Sequence, residues 1–232
     1  MFFLLSHFVY ANSDVDKLET RLAKIFPDHS QQKVSLCIEP KVKKDCLIFR
    51  MRQEHSSKMG KQRIWIEAPQ KWNGVQILHI DLPQQEDPFW LYLPALKKVK
   101  KMSGTRTPLG LDISKLEVHL TGEETLHWVD EQHCSIQRYS KEQDNVEIEQ
   151  LDLFFQGEQL IKMTSSFGYE SIFSDYKNIG GYLIPHVISI QEEQKQQFYI
   201  TLQEFQIRDN TQEKEQEENV FDLVHFQNLG KK

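Results

Sequence analysis

The chain has 232 residues, a formal net charge of -6 and 27% charged side chains. That length suits one large β-rich domain, because sandwiches and barrels of this size fold as a single unit. The acidic balance excludes a general nucleic-acid binder, whose affinity depends on many Lys and Arg side chains neutralising phosphates.

The N-terminus, MFFLLSHFVYANSD, carries an apolar run of about ten residues, too short to cross a hydrocarbon core of roughly 30 Å as a helix. It ends in Val9, Tyr10 and Ala11, which fits a small-residue cleavage pattern with the cut after Ala11. A basic n-region is missing. Residues 1–11 therefore read as a signal peptide, or as the end of one that starts further upstream, with a buried N-terminal segment as the alternative. No lipobox Cys follows the cut, so a lipid anchor is not indicated. Residues 12–232 are then one domain.

From Ser13, SDVDKLETRLAKIF places Val15, Leu18, Leu22 and Ile25 at helical spacing, which predicts an amphipathic helix capped by Ser13 or Asp14 and ended by Pro27. Beyond Lys33 the apolar period changes from 3.6 to 2, in short runs broken by Gly, Pro and Asn. A long antiparallel sheet follows from that change. Its candidate inward rows are Leu47, Phe49 and Met51; Ile64 and Ile66; Leu78 and Ile80; Leu91 and Leu93; Ile188 and Ile190; and Phe198, Ile200 and Leu202. One face of the sheet is apolar along most of its width. The rings of Trp65, Trp90, Tyr92, Trp128, Phe154 and Phe155 fall mostly on these strands, where large side chains ordinarily fill a core.

Lys97, Lys98, Lys100 and Lys101 form a basic cluster around Val99. Successive strand residues point to opposite faces, so lysines occupy both, as on a projecting hairpin or a protected edge strand. The functional reading is a contact for anionic head groups or an acidic partner; a solvated hairpin is the plainer one. Asp112–Leu120 reads as a short helix capped by Asp112, a second cover over the sheet. The run QEKEQEEN makes residues 211–219 an acidic mobile loop.

Three cysteines make an odd count with no CxxC pair. Cys37 can bridge Cys46 if their strands face each other, because a disulfide needs Cα atoms within about 7 Å. The preferred reading is that Cys37, Cys46 and Cys134 are small buried apolar side chains. The densest group of metal-ligating residues is His127, His133 and Cys134, with His119 near in sequence, but on strands these spacings do not converge by themselves. No GxSxG, HExxH, P-loop or dinucleotide glycine pattern occurs, so neither an enzyme nor a cofactor is expected.

The order of motifs between Arg63 and Leu116 resembles that of the LolA-like outer-membrane lipoprotein-sorting family. A strand ends in Ala68 and Pro69, a turn follows at Asn73 and Gly74, and Trp90, Leu91, Tyr92, Leu93 and Pro94 lead into the Lys-rich segment. Gly110, Leu111, Asp112, Ile113 and Ser114 stand where the family tends to have Gly-Ser-Asp-Phe-Ser, with departures at Leu111 and Ile113. Further on, Gly180 to Pro185 open a strand, Gln196–Arg208 is its partner, and Val220 to Leu223 match a short Phe-containing strand.

The resemblance implies an α+β, mainly β fold: a strongly curved antiparallel sheet, an incomplete β-barrel, covered by an N-terminal helix and a short lid helix. It implies a periplasmic, monomeric lipid or lipoprotein carrier or chaperone without catalysis, binding acyl chains and working with an inner-membrane transporter and an outer-membrane acceptor. The alternatives are a sensor or adaptor on the same fold that binds lipidated or misfolded proteins, and a hydrolase with an unrecognised site.

Overall fold

The computed structural model describes residues 13–27, 29–38, 46–56, 59–81, 89–102, 124–142, 145–192, 197–207 and 222–231. Helix α1 (Ser13–Ala23) precedes a run of strands: β1 (His29–Cys37), β2 (Leu47–Ser56), β3 (Met59–Ala68), β4 (Gln76–Asp81), β5 (Phe89–Leu93) and β6 (Lys98–Met102). The second run is β7 (Thr125–Trp128), β8 (His133–Glu142), β9 (Asn145–Gln156), β10 (Gln159–Ser165), β11 (Tyr169–Ile179), β12 (Tyr182–Glu192) and β13 (Gln197–Ile207), and a helix α2 (Leu223–Gln227) follows. The strands form one sheet in the order β6-β5-β4-β3-β2-β1-β13-β12-β11-β10-β9-β8-β7. Two antiparallel meanders are thus joined through the β1–β13 pair, and β6 and β7 are the edges of an open sheet.

Period-2 alternation explains the layering. In β1 every second residue is buried, with Val34 and Leu36 on the face where Leu18 and Leu22 of α1 also pack. This inner face is apolar from β1 to β5 and from β7 to β13. Helix α1, at about 1.5 Å per residue, shades only three or four strands spaced about 4.8 Å apart. The breadth of the burial therefore fits a sheet curled around its own inner face. Register shifts at Lys33/Val34, Ile48/Phe49 and Leu160/Lys162 provide local bends, since a bulge increases twist and turns its strand. At the β11–β12 turn, Gly180 has φ +59, a left-handed conformation that favours glycine, and a Cβ there would have to displace Ile207 Cδ1, 2.8 Å away.

Several expectations change. Helix α1 already includes Ser13, ends at Ala23 and leaves Ile25, buried, in the turn after it. Leu78 and Ile80 do not belong to the inward row. Ile77 does, because it stands opposite Ile64 and Leu91, and a slip of one residue exchanges the faces. Leu78 packs instead with Trp90 and Phe226 in a second, outer cluster, with Ile80, Tyr92, Val99 and Leu223 around it. Leu223 begins α2 rather than ending a short strand.

Cys37 and Cys46 are joined in a disulfide, with Cα atoms 4.3 Å apart, so the reading of both as buried thiols is corrected. Cys37 ends β1 and Cys46 immediately precedes the paired strand β2, which brings them together. Cys134 is the free, buried cysteine, its thiol pushed up to about 12 by burial, which keeps it protonated and unreactive. The signal peptide, the helix at Asp112–Leu120 and the acidic loop at 211–219 lie outside the described residues.

Candidate functional site

The inner face is built from rows of directly opposed residues. Met51, Ile64, Ile77 and Leu91 run across β2 to β5; Val34, Phe49 and Ile66 run beside them; and Leu47, Leu36, Ile200 and Ile188 continue the face to β12. Phe198 lies opposite Ile190, and Leu202 opposite Val34. Most of these side chains are buried, whereas Met51, Leu91, Leu93 and Met102 are only partly so. Trp128, Tyr176, Ile179, Tyr182 and Phe205 on other strands are likewise partly buried, so the face is partly exposed at the β5–β6 edge and elsewhere.

The lysines finish that edge. Lys98 stands opposite Leu93 and Lys100 opposite Leu91, which puts both on the inner face, while Lys101 stands opposite Trp90 on the outer one. Strand β6 is an edge strand and all four lysines are exposed, as the alternation predicts.

Helix α1 covers the opposite half. The Trp128 indole N–H donates to the Asp14 carbonyl at 3.2 Å, the Leu183 amide to the Lys24 carbonyl at 2.8 Å, and Lys24 pairs with Glu158. Lys17 Nζ lies 3.9 Å from the Trp128 ring centroid, and Arg21 Cζ lies 5.0 Å from those of both Trp128 and Phe155. Contacts from α1 thus reach β7 and β9, and Lys24, just after its end, reaches β12.

Polar groups interrupt the inner face at a few points. Glu149 is 3% exposed, accepts from Arg138 Nε at 2.6 Å and from Tyr169 Oη at 3.1 Å, and also from Ser165 Oγ. Three donors satisfy a carboxylate that burial alone would disfavour. Burial, with the Glu149 charge beside it, holds the Tyr169 hydroxyl well above its ordinary range. Elsewhere on this side Arg21 Nη1, Ser30 Oγ, Ser171 Oγ and His186 Nε2 are buried without a hydrogen-bond partner among the described residues. The sequence reading missed these groups. The available signals were Glu149 in step with Leu151, Leu153 and Phe155, and Arg21 flanking the stripe of Leu18 and Leu22.

The histidines do not converge. His127 stands opposite Ser135, whereas His133 contacts Asp152 at 3.1 Å and stacks on Phe154. Among the described residues no group of three His, Cys, Asp or Glu is arranged to hold a metal ion, and His119 lies outside them.

No family model matches this sequence, and no curated protein matches it. Solved structures do. A domain described as an outer membrane lipoprotein-sorting protein from Vibrio parahaemolyticus is 15% identical with a TM-score of 0.67, covering 90% of this chain and 98% of its own. A DUF1329 family protein from Desulfovibrio piger is 15% identical with a TM-score of 0.68, covering 91% and 97%. A LolA superfamily protein from Nitrosomonas europaea is 13% identical with a TM-score of 0.62, covering 84% and 94%. These likenesses bear out the resemblance read from the motifs, as a shared fold.

Proposed function

We propose that this LolA-like fold serves as a non-catalytic carrier or chaperone in the periplasm, sheltering the acyl chains of a lipid or lipoprotein and handing them to a membrane partner. The observation that carries the reading is the continuous apolar inner face of the sheet, on which Met51, Leu91, Leu93 and Met102 are among the only partly buried side chains. An acyl chain of about 15 methylenes, at about 0.8 kcal/mol each, costs on the order of 12 kcal/mol to expose to water. A carrier must therefore offer an apolar surface comparable to a membrane interior. Handover to an inner-membrane transporter or an outer-membrane acceptor then needs a partner that favours the unloaded state.

The Cys37–Cys46 disulfide supports an exported protein, because such bonds persist in oxidising compartments and are rare in the cytosol. No helix among the described residues is long and apolar enough to cross a membrane. Mature protein from the native host is expected to begin at or near Asn12; an intact mass that retains Met1 contradicts the proposed export.

The edge lysines tune delivery in this reading, since exposed cations steer a charged surface but cannot shelter an acyl chain. Changing Lys97, Lys98, Lys100 and Lys101 together to Gln is expected to leave folding and bound lipid intact and to slow transfer to anionic vesicles. The wild-type rate should also fall with added salt. Equal rates for both proteins at low salt reduce the cluster to a solvated edge. The carrier reading itself is tested by titrating the purified protein with a fluorescent acyl-chain probe: saturable binding is expected, and no binding counts against it.

A further inference from the structure

We propose that Arg21 anchors the anionic head group, a carboxylate or a phosphate, of the acyl-chain ligand; this rests on the carrier reading and names the chemistry of its cargo. Arg21 lies on α1 between the buried residues Leu18 and Leu22, at the border between the helix and the apolar face. Its Cζ is 5.0 Å from the ring centroids of both Trp128 and Phe155, and Phe155 is itself fully buried. One terminal nitrogen, Nη1, is buried with no acceptor among the described residues.

Ring contacts do not account for this arrangement. A guanidinium meets aromatic rings with its flat face, while its N–H donors lie in its plane, so stacking leaves the donors unused. A buried charged donor without an acceptor is destabilising, and an apolar side chain of similar length would serve stability better at this position. Lys17, one turn earlier on α1, brings a second cation to the same Trp128 ring. Of the carboxylates on β9 and in the turn after it, Glu149 is engaged by Arg138, Asp152 by His133 and Glu158 by Lys24. Two cations beside an aromatic floor, one with an unused buried donor, suit an amphiphile whose head is anionic and whose chain follows the apolar face. Carboxylate and phosphate both match the planar fork of an arginine.

The test compares dodecanoate, dodecyl phosphate and dodecan-1-ol, which share one chain and differ in the head, by competition against a fluorescent acyl probe. Wild type should bind at least one of the two anions about 10- to 100-fold more tightly than the alcohol, as the loss of one charge-assisted hydrogen bond implies. Arg21→Met should erase that preference and leave alcohol binding within about twofold, with an unchanged or higher melting temperature of the unloaded protein. Arg21→Lys, which keeps the charge, should retain part of the preference and decides the matter if the Met variant does not fold. Alcohol and anions binding equally, or a preference that survives both substitutions, overturns the anchor while the carrier reading stands. Failure of all three compounds overturns the carrier reading and the anchor with it. Inorganic phosphate binding at Arg21 as tightly as dodecyl phosphate would also overturn the proposal, because the chain would then contribute nothing.

Discussion

Leu91→Glu is expected to abolish uptake of an acyl-chain probe, weakening it at least tenfold, while the protein stays folded. Leu91 is half-buried on the inner face, opposite Ile77 on one side and Lys100 on the other. A carboxylate there can pair across the strands with Lys100, a contact worth about 0.2–1 kcal/mol, which limits the cost to folding. The same carboxylate is hostile to a methylene chain, which cannot compensate its loss of water. Ile66→Glu is the contrasting case: Ile66 is 2% exposed and surrounded by the main core, so the charge would be buried without a partner and the variant should be largely unfolded. Circular dichroism and probe titration separate the two outcomes. Normal uptake by a folded Leu91→Glu protein would mean that the ligand does not lie on this face.

The second large effect concerns the disulfide. Replacing Cys37 and Cys46 together by Ser should lower the unfolding free energy by about 3 kcal/mol, because the bond closes a loop of about ten residues in the unfolded chain. The sheet is otherwise continuous through β1 and β2, so the native register should survive. Urea denaturation with and without reductant checks this on the unmodified chain. Identical midpoints for the oxidised and reduced protein would show that the cross-link contributes nothing to stability.

Much of this architecture was legible in the sequence because a half-buried sheet writes its period directly. Phe49 with Met51, Ile64 with Ile66 and Ile200 with Leu202 fall on the inner face that the alternation predicts. The misreading at Leu78 and Ile80 has a physical cause. The run Gln76-Ile77-Leu78-His79-Ile80 is apolar on both faces, because the outer face at β4 and β5 is covered by Phe226 of α2, and period alone cannot orient such a strand. The lysines were readable as an edge, since charge on both faces is what an unpaired strand tolerates.

The polar features of the inner face were not legible for a different reason. Glu149, Arg138, Ser165 and Tyr169 come from four strands, and only the register β8–β9–β10–β11 brings them together. Arg21 on its helix looks like any residue at the margin of an apolar stripe; that one nitrogen faces inward without an acceptor is a fact of packing against Trp128 and Phe155. The disulfide sits between these cases, because its two cysteines are close in sequence but only strand pairing decides whether they meet.

The most direct test of the carrier account is to purify the protein from its native host without detergent, extract it in organic solvent and identify what is released by mass spectrometry. The account predicts an acyl-chain compound near one equivalent per chain, diminished in Leu91→Glu. Protein that is folded, free of lipid and unable to take up acyl chains from vesicles would contradict it.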